Sequence, residues 1–418
     1  MKRKEMEIIE KAKTHDEAGV NMLLDTWELT GNTFDGLYKV LDELDKRTKF
    51  LNIMSNEFSL MTVWNIEPDG TVSTYWHKSA LSWKLVSFTP DDLKKIGATP
   101  ELIAEMRCDS PMFIKINNSV FFTSERVIRT LSQRAGSPIG KAAVRKELDI
   151  RLTRNAFYTA YKNDVPEVCH LVYREIGHVK KVYAALTDRH NAVSQGDNIR
   201  NIVKMFNEEL GTPNLQSWMV ENRETVVQIE YPDKSADFTN VQKDIGKQLP
   251  DIVVPGIYIR TADTGDSAFK VLGTIRVGNA TLFVPEAKAT KAHTKKTSEE
   301  AILNEVKKNV FKEYKRIPER LCELIMMDIP DPVSLIEPIA EACKVENALG
   351  GGAQKEIIAK ITALFRPDIQ YTAYDIAMMF LSESAVREQT HQRDDALAKV
   401  RNCFVRAVFF EYEKYLKV

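Results

Sequence analysis

A chain of 418 residues with 44% hydrophobic side chains has enough apolar material for a substantial core, which excludes a disordered polymer and favours two or three structural units over one. Its 58 Lys and Arg nearly cancel its 59 Asp and Glu, leaving a formal net charge of -1, so the whole molecule does not attract nucleic acid or membrane and any polyanion site has to be local. Five scattered cysteines (Cys108, Cys169, Cys322, Cys343, Cys403), a charged start without an apolar signal region, and no apolar run of ~20 residues predict a cytoplasmic protein with reduced thiols and no membrane.

In chain order, residues 1–50 read as a helical lead-in, with Ile8, Ile9 and Ala12 and then Leu37, Val40, Leu41 and Leu44 at helical spacing. Residues 51–297 read as an α+β core. It opens with a hairpin over 59–66 and 71–76 around Pro68-Asp69-Gly70, and a helix starts at Thr89-Pro90-Asp91-Asp92 and runs to about 107. A second hairpin over 113–122 turns at Asn117-Asn118. An amphipathic run through Val127, Ile128 and Leu131 follows, then a helix over 141–161 and two strands, 167–176 and 179–187. After a helix over 198–210, strand character returns at 226–231, 252–260, 268–277 and 281–284. Without regular βαβ spacing, this predicts a central mixed or mainly antiparallel sheet with packed helices. Residues 298–418 read as a helical module interrupted at Gly350-Gly351-Gly352. In its last run Leu397, Val400, Phe404, Val408, Tyr412 and Tyr415 share a face.

Local positive charge gives the first candidate site. Arg126, Arg129, Arg134, Lys141, Arg145, Lys146, Arg151 and Arg154 lie on two predicted helices that could present cations to phosphates as a helix-turn-helix does, or simply form a solvated face. Downstream, Tyr158, Tyr161, Arg174, Lys180, Lys181 and Arg189 interleave rings with cations, a pattern suited to stacking unpaired bases while tracking the backbone. Strand alternation puts Tyr173 with Cys169 and Leu171, a core face, and Arg174 with His170 on the other. The segment 288–296, with Lys291, Lys295 and Lys296, has the composition of a phosphate-contacting loop or of an ordinary linker. In the turn 261–267, Asp263 and Asp266 could offer hard oxygen ligands to a divalent ion or serve turn chemistry, and no third ligand is identifiable. There is no P-loop, dinucleotide fingerprint, paired zinc spacing among Cys169, His170, His178 and His190, or serine elbow. These absences favour a binding protein without a cofactor over an enzyme.

The segments Phe122-Thr-Ser-Glu-Arg-Val-Ile-Arg-Thr-Leu, Lys181-Val-Tyr-Ala-Ala-Leu-Thr-Asp-Arg-His190, and Gly256-Ile-Tyr-Ile-Arg-Thr-Ala-Asp-Thr-Gly265 followed by Ser267-Ala-Phe-Lys-Val-Leu are similar to those of a phage- and plasmid-encoded family of unknown function. The resemblance spans roughly residues 120–320. Where that family tends to carry an arginine and a cysteine beside an asparagine and a glycine, Arg276-Val-Gly-Asn279 has no cysteine. The resemblance implies a mobile-element origin and a DNA-transaction role, and carries over no active residues. The sequence thus predicts an accessory protein that binds nucleic acid, preferably single-stranded DNA. The alternative is a non-enzymatic interaction or assembly protein that associates with itself or a host factor through Phe404, Val408, Tyr412 and Tyr415.

Overall fold

Residues at positive φ make the tight turns that the sequence marks between strands: Gly70 at 86°, Asn117 at 51° and Gly177 at 61°. The computed structural model describes residues 22–25, 27–77, 83–105, 111–124, 126–127, 130–131, 166–188, 190, 194–222, 224–234, 236–237, 252–264, 268–277, 280–291, 299–345, 351–388 and 406–416. They form an α+β fold built on two large sheets.

The eight-stranded sheet contains β2 (Thr48–Met54), β3 (Phe58–Ile66), β4 (Val72–His77), β5 (Trp83–Phe88), β6 (Pro111–Ile116), β7 (Ser119–Thr123), β8 (Val168–Ile176) and β9 (Val179–Thr187). Their order is β2-β8-β9-β7-β6-β3-β4-β5, and only the β7–β9 pairing is parallel. The seven-stranded sheet is antiparallel throughout. It runs from β1 (Glu28–Gly31) through β10 (Asn214–Glu221), β11 (Thr225–Glu230), β13 (Ile252–Thr261) and β14 (Phe269–Val277) to β15 (Ala280–Lys291), with β12 (Ala236–Asp237) beside β13.

Several expectations are refined. Strand β1 precedes α1 (Phe34–Arg47), so the stretch expected to be wholly helical feeds a sheet edge, and Leu37, Leu41 and Leu44 form the buried stripe of α1. The single helix expected from 89 to 107 is two short ones, α2 (Pro90–Lys95) and α3 (Pro100–Glu105). The capping box of Thr89 and Asp92 starts α2; Gly97 at φ 77° stops it, and Pro100 restarts the chain. Strand β15 is three times as long as expected, so Lys288 and Lys291 are strand residues, with Lys291 opposite Phe269.

Helix α4 (Gln195–Leu210) begins where α1 ends. Asp45 accepts the backbone N–H groups of Gln195 (3.2 Å) and Gly196 (3.0 Å) and the Ser194 hydroxyl (2.7 Å), placing negative charge at the positive end of α4. Burial nonetheless pushes this carboxyl up, against those hydrogen bonds. A Cβ on Gly196 would stand 3.0 Å from Asp45 Oδ2, so the close approach favours glycine.

After residue 298 the described residues include α5 (Glu299–Ile325), α6 (Val333–Val345), α7 (Gly351–Thr362) and α8 (Ala373–Glu388), with a two-stranded ribbon of β16 (Asp328–Ile329) and β17 (Tyr371–Thr372). Gly351 and Gly352 are the first turn of α7 rather than a loop. One core joins Leu37 and Leu41 of α1, Ile199 and Phe206 of α4, Val227 and Ile257 of the seven-stranded sheet, Val306 and Leu321 of α5, and Tyr412. The eight-stranded sheet has two cores of its own, one around Phe58, Leu60, Val127 and Leu171, the other around Met61, Leu93, Phe113 and Phe122. Between the sheets runs a short irregular strap: Leu23 and Leu24 belong to the second of these cores, Met22 and Trp27 to the large one.

Candidate functional site

Of the cations and rings expected to contact nucleic acid, Arg129, Arg134, Lys141, Arg145, Lys146, Arg151, Arg154, Tyr158, Tyr161, Arg189, Lys295 and Lys296 lie outside the described residues, as do Asp266, Phe404 and the side chain of Lys291. The structure does describe Arg126, Arg174, Lys180 and Lys181. It brings two of the predicted motifs together: Arg126 Nη1 donates to Thr264 Oγ1 at 2.9 Å, and Arg174 Nη2 lies 3.5 Å from Asp263 Oδ2, so the polar loop after β13 docks onto the eight-stranded sheet.

Arg174 and Lys181 are nevertheless interior, and the expectation that they meet phosphate is corrected. Arg174 is 1% exposed; besides Asp263, it donates to Asn222 Oδ1 at 2.5 Å and lies 4.4 Å from the centre of the Tyr183 ring. Lys181 is also 1% exposed, with its ammonium 3.0 Å from Asp25 Oδ1 and 2.7 Å from Glu105 Oε2. Asn222 Nδ2 closes the chain by donating to Asp25 Oδ1 and the Leu24 carbonyl, each at 3.2 Å, while the Tyr183 hydroxyl donates to the carbonyls of Met22 (3.2 Å) and Leu23 (2.9 Å). Residues 22–25 are therefore tied to both sheets by a continuous polar array.

The electrostatics follow from enclosure. Burial disfavours the Lys181 charge, yet the carboxylates of Asp25 and Glu105 outweigh it and hold the ammonium above the ordinary lysine range. Burial also raises the Glu105 carboxyl, despite Lys181 beside it, and raises the Tyr183 phenol. Cations so enclosed and neutralised are unavailable to a phosphate, because exposing them would leave buried or partly buried carboxylates without their counter-charge.

The same pairing occupies Asp263, one of the two metal candidates, while the other, Asp266, lies outside the described residues. The Asp263 carboxylate takes Arg174 and the Thr48 hydroxyl (3.3 Å) as partners, and no group of three metal-ligating side chains occurs among the described residues. His170 instead sits with its Nδ1 2.6 Å from Asn52 Oδ1 and its ring against Phe50 and His190. The face proposed for self-association is corrected in part: Val408 and Tyr412 are buried in the chain's own core, because Arg320 of α5 donates to the carbonyls of Val408 and Phe410 and folds this segment inward. Tyr415 remains exposed, stacked on Phe410. Lys180 stays near the surface, 3.5 Å from Glu175 and 5.6 Å from the Phe121 ring.

A cation and aromatic surface that the sequence reading missed lies at the opposite end of the eight-stranded sheet. On one face of the β4–β5 hairpin, the Trp76 indole is half-buried, with the ammonium groups of Lys84 at 4.5 Å and Lys115 at 5.1 Å from its ring centre. Lys84 is exposed, and neither lysine has an ion-pair partner among the described residues. Tyr75, next in the chain and so on the opposite face, meets Trp64 edge-on at 5.0 Å. Trp64 occupies a bulge between Val63 and Asn65, which turns it outward, and it is 46% exposed; Leu85, opposite Tyr75 on the far side of β4, is 56% exposed. Strand β5 is the outer strand of the sheet, so both faces are reached from its edge. The sequence signal was the pairing of Tyr75-Trp76 with Lys84 across a hairpin. It requires the strand register, Trp76 opposite Lys84, to be seen.

Compared with known proteins, the chain matches no family model, no curated protein and no solved structure. No helix among the described residues is long and apolar enough to cross a membrane.

Proposed function

We propose that the chain is a mobile-element accessory protein that binds nucleic acid, single strands in preference to duplex, at the edge hairpin of the eight-stranded sheet. The observation that supports this reading is the Trp76 indole flanked by the Lys84 and Lys115 ammonium groups without carboxylate partners among the described residues. Unpaired lysines beside a ring suit a strand whose phosphates they neutralise. Trp64, exposed on the opposite face of the sheet, adds a ring on which an unpaired base can stack, worth ~1–3 kcal/mol per base. A duplex keeps its bases stacked on one another and gains only the phosphate contacts.

The test is fluorescence anisotropy with a labelled oligothymidine and a duplex of equal length, across a salt series. The expected result is tighter binding of the oligothymidine, weakened about tenfold by Lys84→Glu with Lys115→Glu, together with a salt slope lower by roughly 1.4, at ~0.7 per phosphate contact. Absent binding, salt-independent binding, or binding untouched by this pair overturns the site. If changing Arg145, Lys146, Arg151 and Arg154 together to Glu removes the binding instead, the surface belongs to the central basic stretch.

A further inference from the structure

We propose a second, separate docking surface, at the end of the α6–α7 pair, for a basic amphipathic helix of a partner protein. Strand β16 directly precedes α6 and β17 follows α7. Their antiparallel pairing, Asp328 with Thr372 and Ile329 with Tyr371, therefore holds the start of α6 and the end of α7 at one end of the helical layer. The backbone N–H of Ala373 donates to the Met327 carbonyl at 2.8 Å and extends that closure. Four large apolar side chains lie on the segments gathered there and face solvent: Met326 at 74%, Val333 at 45%, Leu364 at 52% and Ile369 at 46% exposure. Single exposed apolar residues are ordinary, but four at one end of a layer are the composition of an interaction surface.

Charge selects the occupant. Asp328, Asp331 and Asp368 are exposed on the same segments and make no ion pair among the described residues, against one cation, Arg366. Exposed apolar and acidic side chains on the same segments complement a helix whose apolar stripe is flanked by Lys or Arg. Met326, adaptable in shape, suits a helix face lacking strict complementarity. This surface is independent of the Trp76 hairpin, so either can fail without the other.

The experiment uses the full chain and two labelled model peptides, each with leucines at helical spacing, one flanked by lysines and its twin by glutamates. The expected result is binding of the basic peptide at micromolar concentration and at least tenfold weaker binding of its twin. Asp328→Asn, Asp331→Asn and Asp368→Asn together weaken the basic peptide about tenfold, and Leu364→Ser with Ile369→Ser removes it. These exposed substitutions should leave the melting temperature unchanged, which separates lost docking from lost folding. Equal binding of the two peptides, no binding of either, or a chain that dimerises through this surface and excludes both overturns the proposal.

Discussion

Two cation and aromatic pairs in this protein have nearly the same geometry and opposite environments. Arg174 lies 4.4 Å from the Tyr183 ring and Lys84 lies 4.5 Å from the Trp76 ring, yet the first is sealed and balanced by Asp263 while the second is exposed without an ion-pair partner among the described residues. Separation from a ring therefore does not identify a binding cation. Solvent access and the nearest carboxylate do, because a buried charge is held by its counter-charge, whereas an exposed one is available to exchange partners.

The largest effect is expected at Lys181. Lys181→Met leaves the partly buried Asp25 and Glu105 without their cation, and about 3 kcal/mol of stability should be lost, measured by urea unfolding. Next is Tyr183→Phe, which removes the hydroxyl that donates to Met22 and Leu23 and should cost about 1–3 kcal/mol in the same assay.

Lys181 is held above the ordinary lysine value, so the stability it contributes is fully present below about pH 10.4 and is lost as pH rises beyond it, where the unfolded chain releases the proton first. The wild-type melting temperature should fall more steeply through this alkaline window than that of Lys181→Met; parallel curves would show that the ammonium is not held this way. The smallest effect is at the surface, where Lys84→Ala should change stability by less than ~0.5 kcal/mol.

The elements were largely legible in the sequence because hydrophobic period and turn residues act locally. The Pro68-Asp69-Gly70 turn, the Thr89 cap and the stripe Leu37, Leu41 and Leu44 each report a structure made within a few residues. The division into two sheets was not legible, since the pairing of β1 with β10 joins segments some 190 residues apart. The candidate site was legible only as composition. Alternation correctly separates Arg174 from Tyr173, but nothing local tells that the Arg174 side faces Asp263 and Asn222, which come from distant loops. Likewise, the period that puts Val408 and Tyr412 on one helical stripe misses the break at 409–411, and it cannot tell that both side chains are buried in this chain's own core beside α5.

The most direct test is to measure melting and oligothymidine binding on one preparation of Lys84→Glu with Lys115→Glu. An unchanged melting temperature with binding weakened about tenfold is the expected result. Undiminished binding in that folded variant would contradict it.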